Sequence, residues 1–265
     1  WKEGELMYKK RFLRLVSAVL ALCMMAALLP TAAFAAGGQT FEYKDLKCTV
    51  NADGTTVSVA KKGWDAVSGD VVIPETVEYE GKPYSVTSIG ELAFYYCSSM
   101  TSVVIPTSVT SIGNSAFYNC STLTSVTFDK NSQLTSIGYS AFVNCFKLKS
   151  VTIPSGVTSI ESNTFDSCSA LKKVTFAENS QLTSIGNNAF ANCSALTSVE
   201  IPEGVKTIGQ YVFQRCDALE EVTIPASVTS VKSNIFDSCT TAKKITYGGS
   251  QEQWDNFKVN FPDNL

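Results

Sequence analysis

The sequence predicts a solenoid, a one-dimensional stack of short strands and helical turns with no single globular core. Three observations carry this. Cysteine returns at Cys97, Cys120, Cys145, Cys168, Cys193, Cys216 and Cys239, always 23 or 25 residues on. Three residues before each stands a phenylalanine: Phe94, Phe117, Phe142, Phe165, Phe190, Phe213 and Phe236. Other apolar positions keep the same phase: Ile89 to Val231 eight before each cysteine, Met100 to Ala242 three after, and Val103 to Ile245 six after. A period of about 20–30 residues marks units that bury their apolar sides only by stacking.

Composition narrows the chemistry. The 265 residues carry a net charge of −3 and no histidine. Scattered charge gives no electrostatic case for nucleic acid or an anionic membrane surface. The lack of histidine removes the commonest general base and neutral metal ligand, and with them any Ser-His-Asp or Cys-His nucleophile. Cysteine-only zinc needs closely paired thiolates, and no such pair occurs. No catalytic group, metal or cofactor is expected.

Taken in order, Trp1–Leu6 read as sequence upstream of a start at Met7. Residues 1–35 are then upstream residues plus a secretory signal: basic Lys9, Lys10, Arg11 and Arg14, an apolar Leu15–Leu29, and Ala33-Phe34-Ala35 for cleavage after Ala35. The apolar run is short of the about 20 residues that span a bilayer, so no membrane span is expected in the mature chain. Residues 36–70 form a linker and an N-terminal β-hairpin cap. Phe41–Val50 and Thr55–Ala60 read as its two strands around Asn51-Ala52-Asp53-Gly54. Trp64 is expected to pack on the first rung. Val77–Val86 is an insertion, a second hairpin turning at Glu80-Gly81-Lys82, and suits an edge cover as well as a binding feature.

The solenoid proper spans 71–247. In the rung Leu148-Lys149-Ser150-Val151-Thr152-Ile153-Pro154, Val151 and Ile153 alternate inward and Thr152 outward, as in a strand with one buried face. Proline ends the strand because it cannot donate to a ladder. A second extended piece, V-x-x-I, follows, and glycines such as Gly113 and Gly138 are expected to permit the corner after it. A-F-x-x-C then suits one buried side of a helical turn. Seven rungs about 4.8 Å apart give a body on the order of 35 Å long. Two rungs are longer: after Phe128 and after Phe176, Asp129–Leu134 and Ala177–Leu182 replace the I-P passage and form matching polar bumps on one edge. The ladder cysteines are odd in number and point the same way, so free buried thiols are expected in preference to disulfides; Cys48 lies off the ladder. Residues 248–265 form a C-terminal helical cap, opened by the capping box Ser250-Gln251-Glu252-Gln253, with Trp254 and Phe257 over the last rung.

The motif L-x-x-V-x-I-P-x-x-V-x-x-I-G-x-x-A-F-x-x-C, over residues 71–247, resembles the BspA-type leucine-rich repeat of secreted and surface bacterial proteins. The resemblance implies a right-handed leucine-rich-repeat solenoid at the cell surface or secreted, with roles in adhesion to host or matrix proteins. It carries no catalytic motif and no fixed ligand.

A candidate binding surface follows from the strand alternation. Outward positions form two series, Ser102 to Lys244 and Val104 to Thr246, rich in serine and threonine. The residues singled out as ligand-binding are Thr127, Thr152, Lys173, Thr175, Glu200, Glu221 and Thr223. Short hydroxyls offer hydrogen bonds at small entropic cost, yet they also suit a strand facing only water. The expected function is a non-catalytic adhesion module, a monomer, with a host or matrix protein or a surface glycan as partner. The alternative is a structural spacer, or the recognition arm of a larger surface protein or secreted hydrolase.

Overall fold

The computed structural model describes residues 37–63, 67–241 and 244–257. The signal segment with its Ala35 cleavage site, Trp64, Ala242 and the Phe257 side chain lie outside the described residues. What is described is the expected stack of rungs. Each rung contributes one strand to a face ladder and a two-residue strand to a side ladder, and then turns.

The side ladder runs in parallel register through Ile89, Ile112, Ile137, Ile160, Ile185, Ile208 and Val231. The face ladder carries the V-x-I strands from Gly69–Val72 and Met100–Ile105 to Glu221–Ile224 and Lys244–Tyr247. Inside, the seven phenylalanines form one continuous stack. Their ring centroids are 5.0 Å apart at Phe117–Phe142 and 6.0 Å at Phe190–Phe213. All seven are fully buried.

The turn after the side ladder differs from the expected helical turn. Ser115 and Asn119 have positive φ, 51° and 58°. The backbone N–H groups therefore alternate in their partners. Tyr118 and Cys120 donate within the rung to Ser115 and Phe117, while Phe117 and Asn119 donate to Ala141 and Val143 of the next. A left-handed residue every fourth position breaks helix propagation but satisfies every second N–H across the stack. The ladder glycines also act otherwise than expected. Gly186 does not adopt positive φ; a Cβ there would lie 2.6 Å from the Ser162 nitrogen of the previous rung. Close approach of two backbones, not corner flexibility, excludes a side chain at that position.

The eight described cysteines are free and buried. Each ladder thiol from Cys120 onward donates to the carbonyl of the phenylalanine one rung back: Cys145 to Phe117 and Cys168 to Phe142, both at 3.3 Å. Burial pushes the Cys145, Cys168 and Cys193 thiols well above their ordinary 9.0, and Cys48 up to about 11.

At the N-terminal end the expected single strand Phe41–Val50 is two. β1 (Thr40–Tyr43) and β2 (Leu46–Val50) pair antiparallel across a two-residue turn, in which Lys44 takes the left-handed conformation, φ 53°. β3 (Thr56–Lys61) completes the meander, and the insertion forms the expected hairpin, β5 (Thr76–Tyr79) with β6 (Lys82–Ile89), after the first face strand β4 (Gly69–Val72). β6 pairs parallel with β3 and ends in the first side-ladder residues, so meander, insertion and solenoid share one sheet. Phe41 stacks on Tyr79 at 4.3 Å and locks hairpin to meander. At the other end, helix α1 (Gln251–Phe257) opens on the expected capping box. The Gln253 N–H donates to Ser250 Oγ at 3.2 Å, and the Ser250 N–H to Gln253 Oε1 at 3.0 Å. Trp254 lies 6.0 Å from the Tyr247 ring.

Candidate recognition face and its two clefts

The face ladder aligns the two outward series in register. Ser150, Lys173, Ser198, Glu221 and Lys244 follow one another, as do Glu200, Thr223 and Thr246. The side chains stand outward because their strand neighbours, Val151, Val174, Val199 and Val222, fill the core. Thr127, Thr152, Lys173, Glu200, Glu221 and Thr223 are exposed, and Thr175 is half-buried. Glu221 and Lys244 form a 3.4 Å ion pair between two mostly exposed side chains. Such a pair contributes little, on the order of 0–1 kcal/mol.

Hydroxyls along the stack are used unevenly. On the side-ladder edge, Thr110, Thr135 and Thr183 each donate to a carbonyl of the previous rung, at 3.1, 3.1 and 2.9 Å. Near the first face strand, Thr101 and Ser102 donate to Asp70 at 2.7 and 2.6 Å, and those bonds hold its carboxyl below the usual range. By contrast, among the described residues the hydroxyls of Thr127, Thr152, Thr175 and Thr223 have no protein partner. They face solvent with their donors and acceptors open.

The expected face is one continuous sheet, but the structure splits it. Met100–Ile105 and Ser125–Phe128 belong to a three-stranded sheet with β4, while Ser150–Ile153 begins a separate five-stranded one. At the break, the Lys149 N–H still donates to the Thr124 carbonyl at 3.2 Å, and no ladder continues beyond. The same divergence recurs 48 residues on, where Lys173–Phe176 pairs with Ser198–Glu200 only at Lys173 and Ser198. Both openings follow a V-T-F strand. Ile105 and Ile153, the register partners of Phe128 and Phe176, are fully buried, whereas both phenylalanines are half-exposed. The longer connections bond back to the preceding rung, Asp129 N–H to Ile105 and Ala177 N–H to Ile153, and leave the following rung unmatched.

Each opening is a cleft. The first, ≈ 350 Å³, is walled by Phe128, Thr127, Thr152, Pro154 and Ala177. The second, ≈ 390 Å³, is walled by Phe176, Thr175, Lys173, Glu200 and Pro202. Five of the seven sequence-designated residues thus gather in two equivalent clefts, while Glu221 and Thr223 lie on the next strand, outside both. Sequence reasoning did not reach Phe128 and Phe176, because their position in the strand reads as core. The signal lay in the loss of the I-P step at those two rungs.

A different exposed surface sits on the turns. Tyr95 stacks on Tyr118 at 5.2 Å, with Tyr96 4.5 Å from Tyr95, and Leu92, Tyr96, Tyr139 and Phe146 are all more than 40% exposed.

The comparisons accord with this geometry. A family profile described as BspA type leucine rich repeat region matches in six copies over residues 87–194 and 179–258. No curated protein matches the chain. Among solved structures, the pneumococcal vaccine antigen PcpA aligns with a TM-score of 0.66 and 22% identity, over 81% of this chain and 65% of that one. A leucine-rich repeat protein of T. pallidum aligns over 85% of this chain and 97% of its own, at 20% identity and a TM-score of 0.48. One from Bacteroides capillosus is 32% identical over 52% of this chain and 98% of that one, with a TM-score of 0.44. The profile covers well over half the chain, its copies fall on the stacked rungs, and the chain belongs to the BspA-type leucine-rich repeat family.

Proposed function

We propose that this chain is a non-catalytic recognition module, secreted or held at the cell surface, that grips its partner through the outward side of the face ladder. One observation carries the reading: the face hydroxyls of Thr127, Thr152, Thr175 and Thr223 have no partner among the described residues, while those of Thr110, Thr135 and Thr183 on the side ladder are spent on the previous rung. Extended solenoid faces suit this use, because one rigid surface presents many polar groups already in place. The signal-like segment of residues 7–35 supports placement outside the cytoplasm. The pneumococcal relative in fold is described as a vaccine antigen, which agrees with exposure at a surface.

The test is capture of host and matrix proteins and of surface glycans by the chain, followed by joint substitution of Lys173, Glu200 and Glu221 by alanine. Binding is expected to fall at least about tenfold, the loss of about 1.4 kcal/mol. Undiminished binding of every captured ligand would place recognition elsewhere on the molecule.

A further inference from the structure

We infer that Lys147, Lys149, Lys172 and Lys173 form a binding site for an acidic glycan, one that carries sulfate or carboxylate on its sugar rings. The inference deepens the recognition role proposed above by naming a ligand class, and it shares Lys173 with that reading. Its first support is that charges spread along the sequence are gathered in space. Lys147 and Lys149 follow Cys145, and Lys172 and Lys173 follow Cys168, one rung on. The two rungs are neighbours at this corner, where the face strands begin. The Lys172 N–H donates to the Lys149 carbonyl at 2.9 Å, the Ala170 N–H donates to the Phe146 carbonyl at 3.1 Å, and Ser150 pairs with Lys173. All four lysines are exposed.

The second support is that their charges are not met within the fold. Three other lysines are engaged: Lys62 by Glu42 at 2.6 Å, Lys244 by Glu221 at 3.4 Å, and Lys61 by the Tyr95 carbonyl. The four at this corner have no such partner among the described residues. Glu200 shares the second cleft with Lys173 but makes no ion pair with it. Like charges held close together repel, and an anion placed among them removes that cost. The lysines also stand on a fully paired part of the face, since Ser150–Ile153 and Lys173–Phe176 pair at all their residues. The array is therefore in place before a ligand arrives.

The third support is what surrounds the lysines. The equivalent positions on the flanking rungs are neutral, Thr124 and Ser125 on one side and Thr197 and Ser198 on the other. One rung further stand Glu220 and Glu221, both exposed. A long polyanion along the axis, or a flat anionic membrane, would meet those carboxylates, whereas a short anionic ligand ends before them. Lysine lacks the fork with which arginine grips phosphate, and one exposed aromatic ring gives no run of stacked bases. Both facts favour a sugar over nucleic acid. Phe146, beside Lys147, is 43% exposed and has no ring partner among the described residues, so it offers a flat apolar surface to one face of a sugar ring. The exposed Ser150 hydroxyl, next to Lys149, can bond a ring hydroxyl. A rigid ring also loses less freedom on binding than an acidic peptide with the same charge.

The experiment uses the full chain and two fluorescein-labelled probes, a short heparin oligosaccharide and a hyaluronan oligosaccharide that carries carboxylates alone. Fluorescence anisotropy is expected to show saturable heparin binding that weakens as added salt screens the lysines. Lys147→Gln with Lys149→Gln, and Lys172→Gln with Lys173→Gln, are each expected to weaken it at least about tenfold. Lys206→Gln with Lys232→Gln, at exposed lysines elsewhere on the stack, is expected to leave it unchanged. Phe146→Ser, which installs the residue present at Ser121 and Ser169, is expected to weaken binding about threefold with the salt dependence unaltered. Binding of heparin alone assigns sulfate; binding of both probes assigns any anionic sugar. No heparin binding at low salt, or binding indifferent to the four lysines, overturns the inference. So does equal or tighter binding of polyglutamate or of single-stranded DNA that is lost in the same lysine variants, which would make the corner a peptide or nucleic-acid site. If heparin fails while a captured ligand still depends on Lys173, Glu200 and Glu221, the recognition role stands and only the ligand class falls.

Discussion

The Cys168 thiol donates to the backbone carbonyl of Phe142 across 3.3 Å, and the Phe142 ring lies on Phe165, 5.3 Å away with 3° between planes. One rung thus holds the previous one twice, by a hydrogen bond to the backbone of a phenylalanine and by stacking on its ring. The arrangement explains why Phe and Cys travel together three residues apart. The cysteine is small enough for the interior and still carries a weak donor for a carbonyl that the turn leaves turned inward.

Phe142 sits in the middle of that stack, touching Phe117 and Phe165 on its two sides. Phe142→Ala removes both contacts and leaves a cavity that neither neighbour can fill, so a loss of about 3–5 kcal/mol is expected. Urea unfolding followed by far-UV circular dichroism measures it. Stability in a stack sums contributions from neighbouring rungs, so a second transition with a lower midpoint is the further expected sign.

Three fully buried thiols in the middle of the stack make stability depend on pH. In the unfolded chain a thiol ionises near its ordinary 9.0, while burial holds Cys145, Cys168 and Cys193 well above that in the fold. A folded-state pKa that is raised gives stability fully present below about pH 9 and lost as pH rises further. The slope is about 1.4 kcal/mol per pH unit for each such thiol. Chemical denaturation at rising pH is expected to show a plateau below about pH 9 and a steep decline above it. Cys145→Ala with Cys168→Ala should flatten the decline while lowering the plateau, and equal slopes in variant and parent would contradict the assignment.

Two residues of the first turn take a conformation that their side chains disfavour. Leu92 and Tyr96 have φ of 55° and 59°. Later rungs place serine or asparagine at most of the equivalent positions, including Ser115, Asn119, Ser140 and Asn144. Asparagine tolerates the left-handed region far better than leucine. Leu92 is 48% exposed and has little packing to lose, so Leu92→Asn is expected to raise stability by about 1 kcal/mol. Thermal unfolding of the variant beside its parent is the measurement.

The stack was legible in the sequence because Phe117, Cys120 and Ile112 recur in fixed phase, and identical chemistry in fixed phase has one structural solution. The outward placement of Thr152 and Glu200 followed from the same two-residue alternation. Other features escaped because they turn on backbone geometry. Lys44 reads as strand and acts as a turn. Gly186 reads as a flexible corner and is instead a point where two backbones nearly touch. Phe128 and Phe176 occupy an inward phase and read as core; only the register mismatch created by the longer connections behind them opens the sheet and leaves them half-exposed.

Whether the face hydroxyls belong to the fold or to a ligand can be decided on stability alone. Thr183 donates to the Thr158 carbonyl one rung back at 2.9 Å, and Thr175 has no such acceptor among the described residues. Valine keeps the β-branched shape and strand preference of threonine while removing the donor. Thr183→Val should therefore cost about 0.5–1.5 kcal/mol, the net worth of one hydrogen bond, since the Thr158 carbonyl keeps the backbone N–H of residue 183 as a donor at 2.8 Å. Thr175→Val and Thr152→Val should fall within about 0.5 kcal/mol of the parent, as surface changes that break nothing do. Equal losses at Thr175 and Thr183 would mean that the face hydroxyls support the stack itself, and the recognition surface would lose its polar groups. Unequal losses, with ligand binding reduced only by the face variants, would separate the hydroxyls that build the solenoid from those that work for its partner.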